Sequence, residues 1–375
     1  LPRVPRHAGA PAPGEPAGAL LLVGAAVTRL TSADDLARAG LVPAEALPGL
    51  RAVAERYAVA VTPAVARRIA AGSAGVALQF LPSPDELTAA DGELTDPIGD
   101  DAHSPVKGIV HRYPDRLLLQ PTTTCPVYCR YCFRRETVGQ ADAGLLGRDE
   151  LAAALDYIRG QTGVWEVILS GGDPLILSPR RLARIVDGLA TAEHVRVLRV
   201  HSRVPVAAPE RITPELVAAL RAARQTVWLV LHVNHPDELD EPALAACARL
   251  ADAGIPLMSQ SVLLRGVNDD ADILERLFRR LVEHRVRPYY LHHCDLAPGT
   301  ARFRTGIEAG RALMRELRGR VSGLCQPAYV LDIPGGAGKS PLGPSWAERD
   351  EATSEWRVRD YRGGVHRYPD DPPKD

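Results

Sequence analysis

From position 116 onward, strand-like apolar runs alternate with amphipathic helical periods six times, and few folds tolerate that rhythm. The strand-like runs are 117–121, 164–170, 195–202, 227–233, 256–264 and 288–294. The helical periods are 148–159, 179–189, 213–224, 241–253, 271–284 and 307–318. A strand followed by a helix, repeated, predicts a parallel sheet with right-handed crossovers. Val, Ile and Leu are nearly continuous in these runs, as strands covered on both faces require. Six units stop short of the eight of a closed barrel, which leaves an open partial barrel or a doubly wound sheet.

The polar residues that break the pattern collect at the C-terminal ends of the strands. Cys125 follows the first run and Gly171-Gly172-Asp173 the second. His201 and Arg203 follow the third, His232 ends the fourth, Gln260 lies in the fifth and Asp295 closes the sixth. That end carries the active site in both architectures, so the placement predicts an enzyme. Upstream, 1–17 is rich in Pro, Gly and Ala and reads as a disordered leader. Residues 18–105 read as a helical segment, in which Thr62 caps a helix opened by Pro63, followed by a proline-broken acidic linker over 81–105. The barrel domain is expected over 106–325, a separate lysine-bearing loop region over 326–345 and a tail over 346–375.

Charge excludes two classes of partner. The 45 basic and 46 acidic residues leave a formal net charge of −1, with no basic stripe for nucleic acid or a membrane surface. The apolar run 18–27 is too short to span a bilayer. With Arg3 and Arg6 ahead of it, that run has the outline of a signal peptide. Pro and Gly crowd the leader, however, and no disulfide framework follows, so a cytoplasmic protein is expected. Leu1 is not a start methionine, which leaves the true N-terminus open. Six cysteines are too few for a disulfide scaffold; three fall at 125, 129 and 132, while Cys247, Cys294 and Cys325 stand alone. Such clustering predicts a metal site in a reducing compartment.

The stretch Thr124-Cys125-Pro126-Val127-Tyr128-Cys129-Arg130-Tyr131-Cys132-Phe133 spaces its thiols as Cys-x3-Cys-x2-Cys. Three thiolates on one loop can hold three irons of a [4Fe–4S] cubane and leave the fourth open. That iron can chelate the amino and carboxylate groups of S-adenosylmethionine. A structural zinc site closes with four ligands, and here no fourth Cys or His lies at finger-like spacing; His111 is too far upstream. The motif resembles that of the radical S-adenosylmethionine superfamily. Ser170-Gly171-Gly172-Asp173-Pro174 likewise resembles the superfamily's glycine-rich loop, which receives the methionyl end of that cofactor.

Gly338-Lys339-Ser340 suggests a phosphate loop, but a Walker A motif needs Gly where Ile333 stands, and Pro334 follows it. A lysine on a glycine-rich loop suits instead a Schiff base with pyridoxal 5′-phosphate. Lys107, Lys339 and Lys374 are the only lysines of the chain, and only Lys339 lies in such a loop.

Together with the cysteine motif, this narrows the resemblance to the lysine 2,3-aminomutase family, from about His111 to Ser345. It runs through His111-Arg112-Tyr113-Pro114-Asp115-Arg116, Ser202-Arg203-Val204-Pro205-Val206 and His232-Val233-Asn234-His235-Pro236. It continues through Gln260-Ser261-Val262-Leu263-Leu264, Tyr289-Tyr290-Leu291-His292-His293-Cys294-Asp295-Leu296 and the Lys339 loop. The resemblance implies an open partial barrel and an isomerase that converts L-lysine to β-lysine, served by an external electron donor. Lys339 would carry pyridoxal phosphate, cradled by Arg112, Tyr113 and Arg116. Ser170, Gly171, Gly172, Asp173, His232 and Gln260 would also bind cofactor, and Cys125, Cys129 and Cys132 the cluster. Arg134 would pair with the substrate carboxylate, and Asp295 and Asp332 with its side-chain ammonium; these two anions would repel glutamate.

The hydrogen on the carbon next to Cα is not acidic, so a radical and not a base must start the shift. By resemblance a 5′-deoxyadenosyl radical takes it, and the nitrogen migrates through a three-membered ring supported by the pyridine system. Hydrogen then returns at Cα. Clostridial members carry a further zinc site; here Asn268-Asp269-Asp270 and a tail without cysteine predict none, and leave a homo-oligomer open. Tyr131 stands where clostridial members often have His. Arginine would satisfy the same two carboxylates. A branch making β-lysine for an elongation factor carries Asp-Lys where Asp295-Leu296 stands. A metal-stapled binding protein without catalysis is the alternative from another class.

Overall fold

The structure is a computed structural model and describes residues 29–140, 144–351, 353 and 355–369. The leader expected over 1–17 lies outside the described residues. Four helices open the fold: α1 (Ala33–Arg38), α2 (Leu47–Arg56), α3 (Pro63–Ala70) and α4 (Ala74–Phe80). Local chemistry sets their starts. Ser32 accepts from the Asp35 amide at 3.0 Å while the Asp35 carboxylate accepts from the Ser32 amide at 3.0 Å, a reciprocal capping box. Thr62 caps α3 and Pro63 takes its first position, where no amide hydrogen is needed.

Nine strands then lie side by side in chain order: β1 (Ile109–Tyr113), β2 (Arg116–Thr122), β3 (Glu166–Gly171), β4 (Val197–Ser202), β5 (Thr226–His232), β6 (Leu257–Leu263), β7 (Val286–His293), β8 (Ala328–Ile333) and β9 (Gly338–Pro341). Strands β2 to β8 are parallel, and β1 and β9 are antiparallel edges. The crossovers carry α5 (Arg148–Gly160), α6 (Pro179–Ala190), α7 (Val204–Ala207), α8 (Pro214–Arg221), α9 (Glu241–Asp252), α10 (Ala271–Glu283) and α11 (Ile307–Arg320). The six anticipated strand–helix units are therefore present, and α11 leads into a seventh parallel strand, β8, that the periodicity did not show.

Side chains alternate across the sheet with period two. Leu117, Leu119, Val167, Leu169, Leu198, Val200, Leu229 and Leu231 pack outward with Leu182, Ile185, Leu274 and Phe278 of the helices in one core. Leu118, Ile168, Arg199, Trp228, Met258 and Tyr290 point the other way and line one shared cavity. Inward faces of β2 to β7 can share a cavity only if the sheet curls. Its order ends at β1 and β9, which do not pair with each other. The fold is an open partial barrel.

Two segments differ from expectation. Residues 81–105 do not simply cross to the barrel. Glu86 is 1% exposed and takes Arg130 through Nε at 3.1 and 3.0 Å, Arg135, and Arg302 at 3.4 Å. Burial would push this carboxyl up, but the charges of Arg130 and Arg135 outweigh it and hold the pKa below the ordinary value. The tail folds into a second antiparallel sheet of β10 (Ala347–Arg349), β11 (Trp356–Arg359) and β12 (Val365–Tyr368), and Arg318 of α11 lies over the Trp346 ring. No helix among the described residues is long and apolar enough to cross a membrane.

Removing one partner of a buried ion pair strands the rest. Glu86→Gln is expected to cost about 3–5 kcal/mol of stability, read as a lower urea midpoint. Asp34→Asn, which breaks an exposed pair with Arg51, is expected to leave that midpoint unchanged.

Candidate active site

A cavity of ≈ 750 Å³ fills the inside of the barrel, and all sixteen residues singled out from the sequence lie on its wall. They reach it from different elements. Cys125, Cys129 and Cys132 stand on the loop after β2. Ser170, Gly171, Gly172 and Asp173 end β3, and His232 and Gln260 end or lie within β5 and β6. Asp295 follows β7, Asp332 lies on β8 and Lys339 on β9. Arg112, Tyr113 and Arg116 frame it from β1 and β2, and Arg134 follows the cysteine loop.

The cysteine loop has no regular structure of its own, so other elements hold its backbone. Arg29 Nη2 donates to the Cys125 carbonyl at 2.8 Å, the Tyr128 amide to Ala60 O at 3.2 Å and the Arg130 amide to Gln79 O at 2.8 Å. Burial raises the Cys125 thiol well above its usual range, and Asp173 with the other two cysteines adds to it. Cys132 is pushed to about 11 by burial and by Cys129. Three thiolates crowded this way need a cation, and iron supplies one. Among the described residues no three His, Cys, Asp or Glu side chains meet at one point, as a single ion would demand. A cubane instead places each thiolate on its own iron, so the donor set fits it.

The β3 loop approaches the cysteine loop closely enough to require glycine. A Cβ on Gly172 would sit 2.3 Å from Thr124 O, and Gly171 adopts φ +99°. This leaves bare backbone facing the cavity, as a close-fitting ligand needs. Asp173 behaves differently from its neighbours. Its carboxylate accepts from the Leu175 amide at 3.0 Å, Ser202 Oγ at 2.8 Å and the Arg203 and Val204 amides at 2.7 and 3.2 Å. With both oxygens engaged, it ties the ends of β3 and β4 together and positions the loop.

Lys339 is on a strand and not in the loop expected for it. Pro334–Gly336 makes the turn, and β9 then runs antiparallel to β8 with Lys339 directly opposite Asp332. Lys339 Nζ is ion-paired to Asp332 Oδ1, and Asp332 Oδ2 lies 3.3 Å from His292 Nδ1. Burial opposes ionisation of Asp332, yet His292 and Lys339 hold it far below the ordinary carboxylate range. Asp295 is the reverse case: burial and the nearby Asp332 push it up to about 7. Tyr113 Oη accepts from the Lys339 amide at 2.9 Å, and the Arg116 guanidinium lies 3.7 Å from the Tyr113 ring centre. An aromatic ring, two guanidinium groups and a lysine on one wall suit a flat, phosphorylated aldehyde such as pyridoxal phosphate.

Sequence reasoning missed Asp100 and gave no contacts for His201 or Tyr131. Asp100, in the segment read as a linker, takes Arg134 Nε at 2.7 Å and Arg112 Nη2 at 3.1 Å. Burial opposes its ionisation, but the two arginines hold its pKa low. His201 on β4 stays neutral because burial, Arg199 and Lys339 all disfavour its cation, and its Nε2 is buried without a partner. Tyr131 now has a structural role: its hydroxyl meets His232 Nε2 at 2.8 Å and accepts from Asn234 Nδ2 at 2.6 Å. No local spacing signals any of these contacts.

Comparison with known proteins agrees with this geometry. The profile of the radical SAM superfamily matches residues 119–277. The chain is 44% identical over 290 residues to the L-lysine 2,3-aminomutase of Clostridium subterminale, covering 77% of this chain and 69% of that one. It is 41% identical over 320 residues to the L-lysine 2,3-aminomutase of Fusobacterium nucleatum, covering 85% and 75% respectively. It is also 35% identical over 300 residues to the glutamate 2,3-aminomutase of Clostridioides difficile, covering 80% and 70%. With its cysteine loop, glycine loop and hairpin lysine on one cavity, this chain belongs to the lysine 2,3-aminomutase family of radical SAM isomerases.

Proposed function

We propose that the enzyme moves the amino group of a cationic amino acid, L-lysine foremost, from Cα to the neighbouring carbon. The observation that carries this is Asp295. Burial and the neighbouring Asp332 lift this carboxyl to about 7 and outweigh the pull of Lys339 and Arg134, so a further cation beside it is favoured. A substrate ammonium supplies that charge. The same pair of acids would repel the side chain of glutamate, on which the Clostridioides difficile relative acts. Arginine would satisfy the pair as lysine does.

When bound, the cluster, S-adenosylmethionine and pyridoxal phosphate would supply abstraction of an unactivated hydrogen and a conjugated ring that supports the migrating nitrogen. The chain's residues do the holding. Cys125, Cys129 and Cys132 carry the cluster. Ser170, Gly171, Gly172, His232 and Gln260 shape the space beside it, braced by Asp173. Lys339 anchors pyridoxal phosphate, and Arg112, Tyr113 and Arg116 receive its ring and phosphate. Arg134 takes the substrate carboxylate while sharing its charge with Asp100, and Asp295 and Asp332 take the distal ammonium. Leu118, Ile168, Met258 and Val262 give the cavity apolar wall that keeps water from the reacting carbons. All six cysteines are free, which suits the reducing cytoplasm and a one-electron donor there.

Lys339→Ala is expected to abolish covalent capture of pyridoxal phosphate while iron and sulfide content stays at the wild-type level. Borohydride reduction and peptide mapping of the wild type check the same point: the label belongs on Lys339, and a label on Lys107 would place the cofactor elsewhere.

The charge on Asp295 sets a pH dependence. Its folded pKa is raised, so its anion is present above about 7 and is lost as pH falls through that value. The ionised fraction drops about tenfold between pH 8 and pH 6, and the Kd for L-lysine should rise by about that factor. The measurement is spectroscopic titration of the pyridoxal-loaded protein with lysine, without S-adenosylmethionine. Asp295→Asn should bind lysine weakly at both pH values and lose this dependence.

A further inference from the structure

Arg203 lies just past β4, 5% exposed, and its Nη1 donates to Cys129 Sγ at 3.1 Å. Both terminal nitrogens of the guanidinium are held, while its Nε has no hydrogen-bond partner. Nη2 donates to Gln79 Oε1 at 2.6 Å and is ion-paired to Glu238, Nη1 also donates to Tyr131 Oη, and the group lies 4.5 Å from the Phe80 ring centre. Glu238 is 1% exposed and equally fixed, accepting from the Asn234 and His235 amides at 2.9 and 3.0 Å. Tyr131 is braced by His232 and Asn234, so neither the donor nor its support can swing into solvent.

An N–H donated to a thiolate sulfur draws electron density away from the iron it binds. A buried positive charge beside the sulfur, little screened by water, favours the more negative, reduced state of a cluster. Both effects raise the reduction potential. Glu238 acts in the opposite sense, because its charge offsets that of Arg203 at nearly the same place.

We propose that Arg203 is a positioning residue that sets the cluster's reduction potential through its bond to the Cys129 sulfur, with Glu238 as counter-charge and Tyr131 as brace. This rests on the assignment of the cluster to Cys125, Cys129 and Cys132, which iron and sulfide content of the reconstituted protein tests separately. The measurement is a potentiometric titration of the reconstituted full chain, followed by electron paramagnetic resonance and made without S-adenosylmethionine. Arg203→Gln should lower the midpoint potential, Arg203→Lys should hold it near the wild-type value, and Glu238→Gln should raise it. General loosening of the site would move the Gln variants the same way, so opposite shifts identify the charge. Shifts of one sign, or none, overturn the proposal. Where Arg203→Gln fails to hold four irons, the sign of the shift in Glu238→Gln decides: upward supports the proposal, and downward or no shift overturns it.

Discussion

The burial of Glu86 against Arg130, Arg135 and Arg302 is the constraint on which the site depends. Between Thr122 and Arg148 the chain makes no strand or helix of its own among the described residues except a single bridge at Leu145, yet this stretch must present three thiols in fixed register. A loop without a ladder has to find partners for its backbone elsewhere. Arg130 lies between two of the cysteines and Arg135 just beyond the third, so one buried carboxylate clamps both flanks of the motif. Three guanidinium groups for one carboxylate is a poor bargain for stability alone, because each costs desolvation. It makes sense as a means of fixing the loop, since one buried carboxylate ties both flanks of the motif and Arg302 to a single point.

The same reasoning explains why the N-terminal helices belong to the site although they touch no substrate. Gln79 on α4 takes the Arg130 amide on its carbonyl and Arg203 on its side chain, while Ala60, just before α3, takes the Tyr128 amide. The barrel supplies strand ends and the helical layer supplies the lid of hydrogen bonds over the cysteine loop. Inside the cavity, charge is partly balanced before any ligand arrives: Asp100 is shared by Arg112 and Arg134, and Asp332 serves Lys339. An incoming carboxylate or phosphate therefore shares a cation already held in place, and reorganisation of the site on binding is small. Asp295 is the exception, and its raised pKa is the mark of it.

What the sequence showed follows from how far apart interacting residues lie. The crossover helices and central strands carry their signal in a few neighbouring positions, and they were legible. Strand β8 was not, because Leu331-Asp332-Ile333 interrupts its apolar run with a carboxylate that lines the cavity. Strands β1 and β9 are short edges beside a turn, and their pairing depends on the sheet they join. Residues 81–105 read as a linker because Pro82, Pro84 and Pro97 and several acids crowd them. Yet the partners that bury Glu86 sit as far away as Arg302. The cysteine and glycine loops announced themselves as local motifs, and Lys339 by its rarity. Arg203 stood out by its place after a strand, but its bond to Cys129 did not, and Asp100 and Glu238, which act across the fold, left no local trace.

The placement of Lys339 shows how backbone register can carry chemistry. In an antiparallel pair, directly opposed residues bring their Cβ atoms within about 4.5–5.5 Å. The β8–β9 register sets Lys339 against Asp332, so the proposed covalent anchor and one half of the proposed cation receptor are located by the same hydrogen-bonded ladder. Neither can drift without the other. A slip of one residue in β9 would turn Lys339 to the outer face and bring Ser340 or Gly338 against Asp332. Two glycines and a proline between Ile333 and Gly338 shape the turn that prevents this slip, and Tyr113 secures β9 from the other side by accepting the Lys339 amide. The resemblance of Gly338-Lys339-Ser340 to a phosphate loop is thus superficial. Its glycines serve to close a hairpin, and the hairpin delivers one lysine to one position in the cavity.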